Sequence, residues 1–239
     1  ASDVIVVVDR EAPYRIRIRG RVHEVSFYGP NLEIWTEIST VPGSSAFRIR
    51  DVLKNKGTFD EEIQVIYHAN FGRPLLGKGA RMLSAAKKIV PFNENAAQAI
   101  DRQEVYSSPT KGFTEEVYKI YPKADEDGNT TAMLMNPAGD RGVTVSWPVE
   151  QLPYLTQWKN TAAENTGYVT GIEPGTGFPH NRSYERKHGR VPKLGPGQSR
   201  TFELDFSILS NVDEVKAAAA AVMKLQGNKG PEIQKDPEE

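Results

Sequence analysis

The chain has 239 residues, 38% hydrophobic and 26% charged, enough to bury the core of one large domain or two small ones. Its formal net charge of -1 gives no global field for nucleic acid or an anionic membrane, and no apolar run approaches the roughly 20 residues of a membrane-spanning helix. With no cysteine, disulfides, thiolate nucleophiles and cysteine-based metal sites are excluded.

In chain order, "ASDVIVVVDREAP" lacks the basic segment and long apolar core of a secretory signal, which is compatible with a cytoplasmic protein. "RIRIRGRV" alternates strictly, with Ile16, Ile18 and Val22 on one face and Arg15, Arg17, Arg19 and Arg21 on the other. Strand-like runs follow at Leu32–Ile38 and Ala46–Asn55. In Glu61–His68, Ile63, Val65 and Tyr67 alternate with Gln64, Ile66 and His68, which predicts a strand that delivers His68 and Asn70 to its end. "NENAAQAIDRQ" (Asn93 to Gln103) reads as a short helix. Further strands are expected at Glu116–Tyr121, Thr131–Met135, Gly142–Trp147, Thr156–Trp158 and Tyr168–Ile172, and "TFELDFSIL" turns Phe202, Leu204, Phe206 and Ile208 inward. A last helix has Asn211 or Asp213 as N-cap and Gly227 as stop, and a polar tail from Asn228 is expected to fray. Turn signals such as Pro42-Gly43 and Asp127-Gly128-Asn129 separate the strands, and no strand alternates with a helix. The pattern predicts an all-β fold, a large antiparallel β-sandwich over 1–210, then a helix over 211–227 and the tail over 228–239.

Of the four histidines, His23 follows the arginine face of its strand and His188 sits in the basic "ERKHGR". His68 differs, because Asn70 and Arg73 make a polar cluster with it just after an apolar strand. In "GYVTGIEPGTGFPHNRSYER", Glu173 closes a strand on the face of Val169 and Gly171, opposite Tyr168, Thr170 and Ile172. Flanked by Ile172 and Phe178, this carboxylate should be partly desolvated and its pKa raised towards a base's working range. The plainer alternatives are a turn cap or a pair with Arg182. Together His68 and Glu173 suit acid–base work on a neutral polar substrate. Asn70, Arg73, Trp158 and Asn181 would supply the hydrogen bonds and aromatic face that hold a sugar ring. No phosphate-binding glycine loop, metal-ligand spacing or nucleophile elbow is present. The arginine stripe alternates too strictly with isoleucine to read as a nucleic-acid site; it reads as a solvated or ligand-facing sheet face.

These segments resemble a known superfamily. "IYHANFGRPLL" resembles the H-x-x-F motif at a central strand end in the galactose mutarotase (aldose 1-epimerase) superfamily. "GIEPGTGFPHNR" resembles its C-terminal L-E-P motif, and "LGPGQSRTFELDFSI" its closing L-x-P-G-E element. The ordered set runs from about Val4 to Ile208 and is similar to a less studied bacterial branch. The resemblance implies a sandwich whose concave face binds an aldose or derivative, with no cofactor and no metal. Carried over, Glu173 would take the C1 hydroxyl proton and His68 would protonate the ring oxygen. A non-catalytic carbohydrate-binding module on the same fold is the alternative. The family's earlier strands, with an arginine and often another histidine, match nothing before His68. The chain thus resembles roughly the C-terminal two-thirds of the family domain, to be completed by an N-terminal segment or a companion chain. The mid-chain acidic sugar ligand falls on Glu116 or Asp140.

Overall fold

The computed structural model describes residues 2–238. They form two compact units, one running to Gln64 and resuming over Asn181–Ser207, the other spanning Val65–His180 and resuming at Ile208.

The first unit opens with β1 (Asp3–Val8), β2 (Ile16–Val25), β3 (Asn31–Thr40) and β4 (Ala46–Asn55), an antiparallel meander, followed by the two-residue β5 (Glu61–Glu62). The second unit carries β6 (Ala69–Phe71), β7 (Arg81–Ser84), β8 (Ala86–Pro91), α1 (Glu94–Ala97), β9 (Glu116–Pro122), β10 (Asn129–Met135), β11 (Gly142–Pro148), β12 (Tyr154–Thr161) and β13 (Tyr168–Gly175). The chain then returns to the first unit with α2 (Arg182–Lys187), β14 (Lys193–Leu194), which pairs with β5, and β15 (Ser199–Leu209), which pairs with β4. It ends in the second unit with α3 (Val212–Gln226) and β16 (Glu232–Ile233).

In the first unit the arginine stripe is spent on its own sheet. Arg19 and Arg21 lie 3.6 Å from Glu37 and Glu33 on the neighbouring strand, and both guanidinium groups sit over the Trp35 ring at 5.5 and 5.4 Å. Cross-strand pairs of opposite charge keep this polar face neutral.

The second unit places the candidate site. One sheet runs β11-β10-β7 and the other β16-β8-β9-β12-β13-β6. Leu83 and Met133 pack outward against Val215 and Val222 of α3. On the opposite face of that sheet Met82, Ala132, Leu134, Val145 and Trp147 are buried, and in the second sheet Tyr118, Ile120, Gln157 and Ile172 are buried on one face. These two faces supply the sandwich core, and the period-two alternation of each strand leaves its other residues for a cleft. Among the described residues, no helix is long and apolar enough to cross a membrane.

Several expectations shift. The segment 63–68 is no regular strand: Tyr67 donates to the Pro174 carbonyl and Thr176 to that of Val65, so its hydrogen bonds go singly to the end of β13. His68 therefore precedes β6 and does not close a strand. The helix expected over Asn93–Gln103 is one α-helical turn capped by Asn93, then a 3-10 turn at Ile100–Arg102. As far as Glu238 the tail is ordered: β16 pairs in parallel with β8, and Glu238 receives hydrogen bonds from Lys119 and Tyr121.

Asn211 is the cap of α3. Its side chain accepts from Glu214 N at 2.9 Å, and the Glu214 carboxylate accepts from Ser210 N at 2.7 Å, one residue before the cap that a capping box would use. Asn211→Ala should cost about 1 kcal/mol in urea unfolding, since it orphans that helix N–H.

Candidate functional site

The cleft is built by register. Antiparallel pairing sets Glu173 of β13 against Thr156 of β12, and Thr156 against Lys119 of β9. The next rung sets Asn70 against Gly171, Gly171 against Trp158, and Trp158 against Val117. Directly paired residues share a face, so all seven point away from the sandwich core. A cleft of about 460 Å³ opens over them, lined by Ile66, His68, Phe92, Glu115, Val117, Thr156, Trp158, Glu173 and Pro179.

Glu173 and His68 meet in this cleft. His68 Nε2 is 3.0 Å from Glu173 Oε1; the glutamate side chain is 3% exposed and the histidine 51%. The contact has ion-pair distance without hydrogen-bond alignment, and Oε1 accepts no hydrogen bond among the described residues. The hydroxyl of Thr156, its cross-strand neighbour, is likewise buried without a hydrogen-bond partner. Two orphaned acceptors on one rung mark a place that a ligand's hydroxyl groups would satisfy.

Burial pushes the Glu173 carboxyl up to about 7; the His68 charge opposes that rise and the Glu115 carboxylate adds to it. Glu115 in turn accepts from Trp158 Nε1 at 2.6 Å, and the Trp158 ring meets the His68 ring edge to face at 5.4 Å. Gly171 makes the arrangement possible: a Cβ there would lie 2.1 Å from Glu173 Oε1, so only glycine lets the carboxylate fold back along its strand. Gly175 does the same for the backbone, because a Cβ would stand 3.0 Å from Ile66 and from the Val65 carbonyl.

A carboxyl pKa raised on folding makes ionisation of Glu173 a cost to the fold. That cost is absent below the unfolded value of 4.5 and complete above about 7. Glu173→Gln should therefore raise the unfolding free energy read from urea curves at pH 8 by an amount on the order of 1–3 kcal/mol, and show no gain below pH 4.5.

His68, Glu173 and Trp158 are thus brought together, and Asn70 shares their face without lining the cleft. Arg73 lies elsewhere, paired with Glu164 and 5.7 Å over the Tyr168 ring. Asn181 caps α2, accepting from Tyr184 N at 2.9 Å. Asp140 belongs to the β10–β11 turn, where it accepts from Asn136 at 2.8 Å. Glu116 faces the core, 3.1 Å from Lys159, because it lies one residue away from the cleft parity of Val117. The cleft's own acids and hydroxyl beyond Glu173 are Glu115 and Thr156. Thr156 was findable from its spacing of two from Trp158; Glu115 precedes its strand and carried no periodic signal.

The family model described as "Domain of unknown function (DUF4432)" matches residues 1–208. No curated protein matches the chain. The crystal structure of a candidate aldose 1-epimerase from Klebsiella pneumoniae is 43% identical, with a TM-score of 0.96 over 98% of this chain and 61% of that one. A galactose mutarotase-like protein from Clostridium acetobutylicum is 13% identical, with a TM-score of 0.58 over 87% of this chain and 68% of that one. The GalM/aldose epimerase homologue from C. elegans is 12% identical, with a TM-score of 0.55 over 86% and 69% of the two chains. The last two likenesses concern the fold alone. The chain spans 61% of the Klebsiella protein's length, and it belongs to the DUF4432 family with the β-sandwich of galactose mutarotase-like proteins.

Proposed function

We propose that the protein interconverts the anomers of an aldose or aldose derivative by acid–base catalysis in the β9–β12–β13 cleft. The observation that carries this reading is the buried Glu173 carboxyl, held near pKa 7 and 3.0 Å from His68. A base works best when its pKa lies near the operating pH.

The distance suits the chemistry, because the C1 hydroxyl and the ring oxygen are bonded to the same carbon. Glu173 takes the C1 hydroxyl proton as the C1–O1 double bond forms. The C1–O5 bond breaks, its electron pair goes to O5, and His68 supplies the proton there. Rotation about C1–C2 turns the other aldehyde face to O5, and the two transfers run in reverse. Trp158 offers its ring face to the sugar's C–H groups, and Thr156 offers an unsatisfied hydroxyl. The resemblance of the chain to the Klebsiella structure, at 43% identity, supports the sugar class.

A second reading, a carbohydrate-binding protein without turnover, is favoured by one feature: His68 and Glu173 already contact one another, so a ligand must part them. Polarimetry separates the two. Fresh α-galactose or α-glucose mixed with full-length protein should mutarotate faster than in buffer. Saturation transferred from the protein to the sugar, and lost in Trp158→Ala, with no acceleration would instead establish the binding module.

A further inference from the structure

Lys119 is fully buried on the cleft face of β9, in the rung shared by Thr156 and Glu173. Two interstrand spacings, about 10 Å, separate its backbone from that of Glu173. A buried ammonium is expensive without a counter-charge. That charge comes from Glu238: Lys119 Nζ donates to Oε2 at 2.8 Å and the Tyr121 hydroxyl to Oε1 at 2.9 Å, with Lys88 3.8 Å away. The Phe178 ring lies 6.0 Å below the ammonium.

Glu238 reaches this place on a short segment anchored by a two-residue parallel pairing of β16 with β8 and by Gln234 N donating to the Ile89 carbonyl at 3.0 Å. Three hydrogen-bonded residues at a sheet edge are easily released, whereas the lysine that holds the carboxylate is built into a central strand. A cleft for neutral sugars alone would need no buried cation on this rung.

We propose that Lys119 and Tyr121, which share the cleft's sheet face without lining it, form an anion subsite beside the sugar cleft, which takes the carboxylate of a sugar acid in place of the Glu238 carboxylate that covers it. The proposal rests on the reading of the cleft as a sugar site. One carboxylate oxygen faces the ammonium and the other the phenol, so Glu238 stands in for a planar, two-oxygen anion. The segment after β16 then acts as a built-in competitor.

The test is calorimetric binding of galacturonate, galactose and galactose 6-phosphate to full-length protein and two variants. Glu238→Gln removes the competing charge and should tighten galacturonate roughly tenfold relative to galactose. Adding Lys119→Met should abolish that preference. If the double variant fails to fold, the ratio in Glu238→Gln decides alone. An unchanged galacturonate-to-galactose ratio in Glu238→Gln would overturn the subsite, and tighter binding of galactose 6-phosphate than galacturonate would overturn the carboxylate assignment. Because binding is read and not turnover, sugar-acid selectivity without anomer exchange would fell the epimerase reading and leave the subsite standing. Anomer exchange of galactose with no acid preference would do the reverse.

Discussion

Replacing Glu173 by glutamine should lower kcat by about 10²–10⁴-fold while KM changes little. Glutamine keeps the length and planarity that Gly171 makes room for, but it cannot accept the C1 hydroxyl proton. On the proposed mechanism the ground-state sugar would still meet Trp158 and Thr156, so the loss should fall on the transition state. On that mechanism the same carboxyl would set the pH dependence of the wild type. Because burial raises Glu173 to about 7, the rate should climb as pH rises through that value, where an ordinary glutamate would already have levelled off near its usual 4.5. In Glu173→Gln this limb of the profile should vanish. Stopped polarimetric progress curves between pH 5 and 9 read both effects, and a retained limb would assign the titration to another group.

Lys159→Met should destabilise the second unit by about 3 kcal/mol, because it strips a buried carboxylate of the buried one of its two ion-pair partners. Glu116 and Lys159 are 3.1 Å apart on the core face, with side chains 4% and 2% exposed. Burial pulls the Lys159 ammonium below its ordinary range, while Glu116 works against that fall. The lysine also donates to the Val105 carbonyl at 3.0 Å and lies 5.2 Å from the Tyr106 ring. Tyr106, pushed up to about 12 by burial, shares a 2.7 Å hydrogen bond with Thr170, and Gln157 donates to it at 3.1 Å. This network backs the strands whose other face carries Trp158 and Glu173. In the single variant Glu116 keeps, among the described residues, Arg102 at 3.3 Å and the Tyr118 hydroxyl at 3.1 Å. Lys159→Met combined with Glu116→Leu should recover most of the loss, since replacing both partners by apolar groups is often neutral or stabilising. Urea midpoints for the two variants provide the check, and equal losses would refute an ion-pair origin.

The long strands were legible because period-two alternation and turn residues agree: Ala46–Asn55 is β4 as read, and β10, β11 and β13 differ only at their ends. β7 and β8 went unread because neither alternates: Met82 and Leu83 in one, and Ile89, Val90 and Pro91 in the other, are buried in succession on both faces. The segment before His68 alternates as a strand would, yet its hydrogen bonds are claimed by Pro174 and Thr176, a tertiary demand that local pattern does not encode. In the site, the face assignment of Tyr168–Glu173 followed from parity and agrees with the register. Arg73 and Asn181 were placed by proximity in sequence to His68 and Glu173, and their side chains are held by Glu164 and by the N-terminus of α2. Glu116 and Glu115 differ by one position, which in a strand means opposite faces; only the register with Trp158 and Lys159 decides between them. Lys119 falls within the strand expected over Glu116–Tyr121, and the tail that pairs with it, expected to fray, carries no periodic sign of doing so.

The most direct measurement is two-dimensional exchange NMR on the anomeric protons of galactose at equilibrium, with full-length wild type, Glu173→Gln and His68→Asn at equal concentration. At equilibrium no net rotation complicates the reading, and cross-peaks between the α and β signals report each crossing of the open-chain aldehyde. The acid–base mechanism predicts strong cross-peaks with the wild type and cross-peaks at the buffer level with both variants, while galactose line broadening shows that all three still bind. Cross-peaks of equal strength in wild type and both variants, or none in a wild type that binds galactose, would contradict it.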